Sequence, residues 1–460
     1  MVFYGVLKKN KLNTNQMLLK NNHLNQRIWS LSGPMMLSNV SLPLLGLVDT
    51  AVMGHLDSAI YLAAVSVGAM ILHFIFWGFG FLRMSTVGLV AQAYGANNGN
   101  EIRNLLARAM IFALVIAAAL IVLQSVLINV SLNLVKPSDE VRLLTTSYFD
   151  IRIWSAPATL LTYVLLGWFL GMQKARHVLV VMVFVNLLNI VLDLVLVIGL
   201  GLNVEGAALA SLIAEYSGLF MALYLMSSLL KSVPGHLQQK QVFEWLAFRK
   251  LASLNSDIFI RTITLLFVFA FFTTQSARAG DVVVAANAIL LQFLTFMAYV
   301  LDAYAHAAEA MVGEALGEKN ISKIKRAVKA CLLWSLWSSV IFSCVYLFTG
   351  KHIIALLTDI NEVRLYSEQY LLWLIMVPVV AVWSYLYDGV FIGATWSREM
   401  RNVMLMAVFT VYLPAWLLSQ SLGNHGLWLS MILFLAARGG LMAWYYKKKV
   451  QNVDLMQSSY

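Results

Sequence analysis

QAYGANN, residues 92–98, returns as EALGEKN at 314–320, an offset of 222 residues. The same offset carries Tyr148 onto Tyr370, GWFLG (167–171) onto GVFIG (389–393) and Arg176 onto Arg398. Short matches happen by chance, but a constant offset across separate segments marks a duplication. Both copies lie among long apolar runs, so the architecture depends on what those runs are.

Of the 460 residues, 60% are hydrophobic and 12% charged, and the mean hydropathy is +0.77. A soluble domain carries about 25% charged residues, so this chain cannot cover a water-exposed surface and reads as an integral membrane protein. A transmembrane barrel would show alternating segments of about ten residues. The apolar runs here are continuous, which predicts helices of about 20 residues or more. Twelve spans are predicted, about 28–55, 59–93, 103–133, 141–172, 178–201, 205–230, 249–275, 283–314, 325–349, 365–394, 400–420 and 425–446. Six map onto six by the offset, so the two halves have the same membrane orientation and are related by an axis along the membrane normal, a transporter design with the substrate path between the repeats.

The fold class is therefore all-α integral membrane, with twelve transmembrane helices in two pseudo-symmetric six-helix lobes. The predicted organisation is a cytoplasmic N-terminal segment (1–27), an N-lobe (28–230), an inter-lobe linker (231–248), a C-lobe (249–446) and a cytoplasmic tail (447–460). The linker holds the Pro234-Gly235 break and then an amphipathic stretch, read as a short helix on the membrane surface. Lys and Arg concentrate in one set of loops (Lys174 and Arg176; Lys231, Lys240, Arg249 and Lys250; Lys319 to Lys329; Arg398 and Arg401) and in the tail, which predicts cytoplasmic termini. No basic soluble module exists to bind nucleic acid. Cys331 and Cys344 fall in one span and read as packing residues.

Within LLGLVDTAVMGHL (44–56) the one charged residue is Asp49, and in VNLLNIVLDLVLV (185–197) it is Asp193. An ionised carboxylate in lipid is costly without a partner or water. By the offset Asp49 falls on Phe271 and Asp193 on Ala415, so only the first half holds this pair. Asn189 lies one turn before Asp193, and Asn186 three residues earlier, on the same helical stripe. Two carboxylates sharing a site compete for one proton, which suits a group that loads and releases H⁺. With amide and hydroxyl oxygens they also form a hard-oxygen site that suits Na⁺. Pro43 and Gly46, six and three residues before Asp49, mark a hinge in the same helix. Asp302, His306 and Glu309 share one face of the eighth span. A Glu309–Arg261 or Asp257–Arg261 pair is expected to stabilise that lobe, and Arg83 is expected to snorkel or pair near the cytoplasmic end.

PLLGLVDTAVMGHL (43–56), FLRMSTVGLVAQAYGANN (81–98), NLLNIVLDLVLVIGLGLNVEGAALAS (186–211) and YLYDGVFIGATWSREMRN (385–402) resemble the MATE multidrug exporters, in particular their DinF branch. The resemblance implies the MATE fold and export of small amphipathic, often cationic, compounds driven by H⁺ or Na⁺. It also implies an ion site in the N-lobe at Asp49, Asn189, Asp193, Ser211 and Tyr148, with no cofactor besides the coupling ion and no resident metal. In the related NorM branch the ion site uses acidic residues of the C-lobe. Asp257 and Asp388 lie near those positions, but the pattern around them is of the DinF kind. The chain is thus read as a monomeric, multi-pass protein of the bacterial cytoplasmic (inner) membrane and not as an enzyme, since neither HExxH nor DDxxD occurs. GxxxxGK[ST] is absent too, so ATP hydrolysis is not encoded. The alternative is a flippase for a lipid-linked precursor, which needs a strongly basic central cavity.

Overall fold

The computed structural model describes residues 22–458, apart from 42, 44, 45, 47, 49–51, 53 and 55–57. Asp49 and most of the N-terminal segment lie outside the described residues. Helix α1 runs from 22 to 41, and its described residues up to 54 are helical as well. Eleven described helices are long and apolar enough to cross a membrane. The remaining predicted span, the first (28–55), falls on α1.

Several predicted spans are broken where their sequence weakens a helix. The second divides into α2 (Ala59–Gly78) and α3 (Phe81–Gly95), with Gly80 in the joint, where a missing side chain lowers helix propensity. The third is α4 (Gly99–Val122) and α5 (Gln124–Val135). The fourth is α6 (Asp139–Arg152) and α7 (Ala156–Gly171), joined by a tighter turn at Ile153–Ser155. Pro157 begins α7 at a position where no N–H is required. Then come α8 (Ala175–Asp193) and α9 (Asn203–Leu230), which complete the first half.

The linker differs from its expectation. Its separate helix, α10 (Gln239–Val242), is a single turn, and the next long helix, α11 (Trp245–Arg278), starts four residues earlier than the predicted lobe boundary. Trp245 to Arg249 contain no Gly or Pro, so nothing stops the helix from extending past the apolar run. The second half continues with α12 (Asp281–Gly317), α13 (Ile321–Leu357), α14 (Asn361–Gln369), α15 (Leu371–Gly393), α16 (Ser397–Met406), α17 (Leu413–Leu418) and α18 (Asn424–Ser458).

The duplication persists at the level of single backbone angles. Asn98 caps α4 by accepting from the Glu101 N–H at 3.1 Å, and Asn320 caps α13 by accepting from Lys323 at 2.9 Å. Left-handed residues recur at the same offset: Asn97 (φ 53°) with Lys319 (φ 56°), and Gln173 (φ 63°) with Thr395 (φ 55°). Each half packs within itself, and the two meet mainly along α3 and α12.

That seam explains the quoted repeat. A Cβ on Gly95 would collide with the Glu314 backbone, and one on Gly317 with the Gln92 backbone. The two contacts are images of each other under the offset. Arg27 of α1 and Lys323 of α13 both pair with Glu314 beside them, so the lobes are closed together at the Lys/Arg-rich end. Gly317→Val is expected to cost at least about 1–3 kcal/mol, since the opposing atoms are backbone and cannot turn aside. Gly440→Val is the control, because an added Cβ there meets nothing within 4 Å. Thermal midpoints of the two variants, measured side by side, check the ordering.

Candidate functional site

Helix α8 positions the stripe expected around Asp193. Asn186, Asn189 and Asp193 are all buried, whereas Leu187, Val191 and Leu194 on other faces are exposed. Immediately after Asp193 the helix widens into a turn of i→i+5 bonds over Leu194–Gly199, a distortion found often at functional sites. Asn189 joins Asp193 to α9. With its amide oriented to satisfy both neighbours, Asn189 donates to Asp193 Oδ2 at 3.3 Å and accepts from the Ser211 N–H and Oγ, each at 3.2 Å. Asn186 donates to Ser41 Oγ at 2.9 Å, tying the same stripe to α1.

These groups border a cavity of about 220 Å³ inside the N-lobe, lined by Gly46 and Val52 of α1, Ser66 of α2, Tyr148 of α6, Asp193 of α8 and Ser211 of α9. Four of the five expected ion-site residues are thereby brought together. Asp49, the fifth, lies outside the described residues. Gly46 and Val52, three residues to either side of it, both face the cavity. Of the expected hinge, Pro43 and Gly46 are helical residues of α1.

A second cavity, about 150 Å³, lies between the lobes and holds Arg83, Arg261, Asp302, His306, Glu309, Asp388 and Arg438 among its walls. The pairing here departs from expectation. Arg261 pairs with Asp388 and not with Glu309 or Asp257, and Arg438 pairs with the same Asp388 oxygen. Asp257 instead takes Arg401 at 2.6 Å and the Ser397 hydroxyl at 2.9 Å. Glu309 Oε1 lies 3.1 Å from His306 Nδ1, and Glu309 Oε2 lies 3.5 Å from Arg83 Nη1. Arg83 therefore bridges the lobes, since it stands on α3 and its partners on α12. The reason is azimuthal: Arg261 sits on the face of α11 turned towards α15 and α18.

Sequence reasoning passed over one feature of the N-lobe wall. Arg152 of α6 pairs with Glu215 of α9 at 2.6 Å, each one turn beyond a residue of the first cavity. The half-to-half comparison would have flagged both, because the offset carries Arg152 onto Leu374 and Glu215 onto Ala437. Among the described residues no cluster of three or more His, Cys, Asp or Glu side chains is arranged to hold a metal ion. Cys331 is buried, Cys344 is exposed and neither is in a disulfide.

Comparison with known proteins identifies the family and the fold. The sequence is 43% identical to the DNA damage-inducible protein F of Escherichia coli over 432 residues, 92% of each chain. It is 26% identical to the multidrug resistance protein NorM of Vibrio cholerae, over 92% of this chain and 96% of that one. A crystal structure of a MATE protein in complex with MaD3S superposes with a TM-score of 0.85 at 18% identity, covering 94% and 97% of the two chains. The MatE family profile matches residues 34–195 and 258–417, one segment in each lobe, and this chain belongs to the MatE family of multi-pass membrane transporters.

Proposed function

We propose that the protein is a secondary active exporter that antiports small amphipathic or cationic compounds against inward H⁺, with Na⁺ as the second choice of ion. Coupling resides in the N-lobe at Asp49 and Asp193, with Asn189, Ser211 and Tyr148 completing the site. The observation that carries this reading is the buried Asp193–Asn189–Ser211 chain opening on a cavity, set against two C-lobe carboxylates, Asp257 and Asp388, that are already paired with arginines. Asp388 is held by two arginines and Asp257 by one, so neither offers an uncompensated charge to a cation.

The chemistry follows from hydrogen-bond valence. An ionised carboxylate only accepts, while a protonated one also donates, so loading H⁺ changes the best set of partners around Asp193. Each exchanged bond is worth on the order of 1 kcal/mol, and a few together move a two-state equilibrium of similar depth. Pro43 and Gly46 give α1 a place to respond, since proline has already removed one backbone bond there. The Lys/Arg-rich end, where α3 and α12 close together, is cytoplasmic in this reading, and substrate leaves through the opposite end in the bacterial inner membrane. The flippase alternative requires a basic central cavity. Here three arginines face Asp302, Glu309 and Asp388 across the same space, a balance that favours a cationic or neutral amphipath over a pyrophosphate.

Vesicles loaded with ethidium test this, with proton and sodium gradients imposed separately. Efflux is expected to follow an inward proton gradient and to vanish when it is collapsed, Asp49→Asn abolishing it at equal expression and Pro43→Ala slowing it without changing the ion preference. Efflux of equal rate with no ion gradient, or near wild-type pumping by Asp49→Asn, overturns the reading.

A further inference from the structure

The Arg152–Glu215 pair is buried in the wall of the N-lobe, with side chains only 15% and 18% exposed. Intramembrane charges are retained where they have work to do, and the reading above gives these two none. Their neighbours are specific. Arg152 Nη1 donates to the Ser155 hydroxyl at 2.5 Å, and Thr159 of α7 donates to the other Glu215 oxygen. Arg152 also interacts electrostatically with Tyr148, one turn before it on α6. Tyr163 of α7 and Tyr216 of α9 also interact electrostatically with Glu215.

The placement follows from the helices. Both α6 and α9 start at the same end of the bundle, where the Ser147 hydroxyl donates to Glu205 at 3.1 Å. Further in, α6 presents Tyr148 and α9 presents Ser211 to the cavity that holds Asp193. One turn deeper, about 6 Å along each axis, stand Arg152 and Glu215. The pair is thus a clamp across the floor of the site. It ties together the two helices that supply the site's hydroxyl groups, and its Arg152 end stands one turn from Tyr148 on the same helix.

We propose that Arg152 and Glu215 are positioning residues of the N-lobe ion site, a second layer that sets ion affinity by holding Tyr148 and Ser211 in place. This rests on the reading that the N-lobe carries the coupling ion. Partners that orient ion ligands are typically worth about 10–100-fold in affinity or activity. The charge-assisted Arg152–Glu215 bond is braced at both ends, by the Ser155 hydroxyl on the guanidinium and the Thr159 hydroxyl on the carboxylate.

The test is a neutral exchange, Arg152→Gln with Glu215→Gln. The double variant leaves the net charge unchanged and removes the charged clamp, so a change in ion dependence does not come from an altered net charge. Ethidium efflux is measured as a function of proton and sodium concentration, at equal amounts of folded protein. The ion concentration for half-maximal efflux is expected to rise about tenfold, a shift to lower external pH if the ion is H⁺, while the maximal rate and the ethidium KM stay near wild type. Unchanged ion dependence overturns the proposal and leaves the pair as packing. If the double variant does not fold, Thr159→Val removes one donor from Glu215 without touching the ion pair. A smaller shift in the same direction is then expected, and its absence overturns the proposal. Asp193→Asn, run alongside, separates the two levels. If it too keeps wild-type ion dependence, the N-lobe reading itself has failed. If it loses coupling while the double variant is unchanged, only the clamp has failed.

Discussion

Asp193→Asn is expected to abolish ion-driven efflux while the protein keeps its fold. The substitution preserves shape, and the new side chain still offers an oxygen to the Asn189 amide, which now lies 3.3 Å from Asp193 Oδ2. The loss in stability is therefore expected to be small, each hydrogen bond weakened from charged to neutral costing on the order of 1 kcal/mol. What disappears is the charge that an ion neutralises, so the site no longer distinguishes a loaded from an empty state. Efflux should fall by at least about tenfold, with the thermal midpoint close to wild type. Asn189→Ala should weaken coupling less, because it removes a donor and leaves the carboxylate. Ethidium efflux together with thermal unfolding checks both. Near wild-type pumping by Asp193→Asn at equal expression would falsify the assignment of coupling to the N-lobe.

Asp388→Asn is expected to show the opposite signature. Arg261 and Arg438 are buried to 6% and 2% exposure and share this one carboxylate oxygen. A neutral amide in its place would deprive two buried guanidinium groups of the carboxylate they are bonded to in the C-lobe interior. Removing one partner of a buried ion pair typically costs about 3–5 kcal/mol, which predicts a marked drop in thermal midpoint and in membrane yield. Efflux per folded molecule should retain its ion dependence. A second substitution, Arg438→Gln, should restore part of the lost stability by removing one uncompensated charge. A cell-survival assay alone would confuse this loss with a loss of coupling, so the amount of folded protein has to be measured. If Asp388→Asn unfolds at the wild-type temperature but loses ion dependence, the ion site belongs to the C-lobe.

The contrast between these variants was only partly legible in the sequence. Hydropathy and the 222-residue offset fixed how many helices there are and how they repeat, because both signals are local and summed over many residues. The capped starts of α4 and α13 and the matched left-handed residues at Asn97 and Lys319 follow from that repetition. The Asn186–Asn189–Asp193 stripe was readable for the same reason, since helical periodicity alone places the three on one face. Which helix faces that stripe was not readable from periodicity. Ser211 and Tyr148 entered through resemblance, and the structure sets both beside Asp193 at the cavity.

Charged partners were the least legible. Arg261 meets Asp388 across 127 residues of sequence, and Arg83 meets Glu309 across 226. The sequence states how deep each charge lies along its helix, and that depth made a Glu309–Arg261 pair reasonable. It does not state the angle at which one helix presents a residue to another. That angle is set when ridges of one helix settle into grooves of the next, and by glycines such as Gly95 and Gly317 that let α3 and α12 approach until their backbones touch. The sequence by itself thus determined a duplicated, twelve-span membrane protein with an acidic stripe in one half. Only the tertiary structure decided that Asp257 and Asp388 of the C-lobe are matched with arginines and that Arg152 meets Glu215 one turn beyond the N-lobe cavity, because ion pairing depends on inter-helix packing while hydropathy records only burial along each helix.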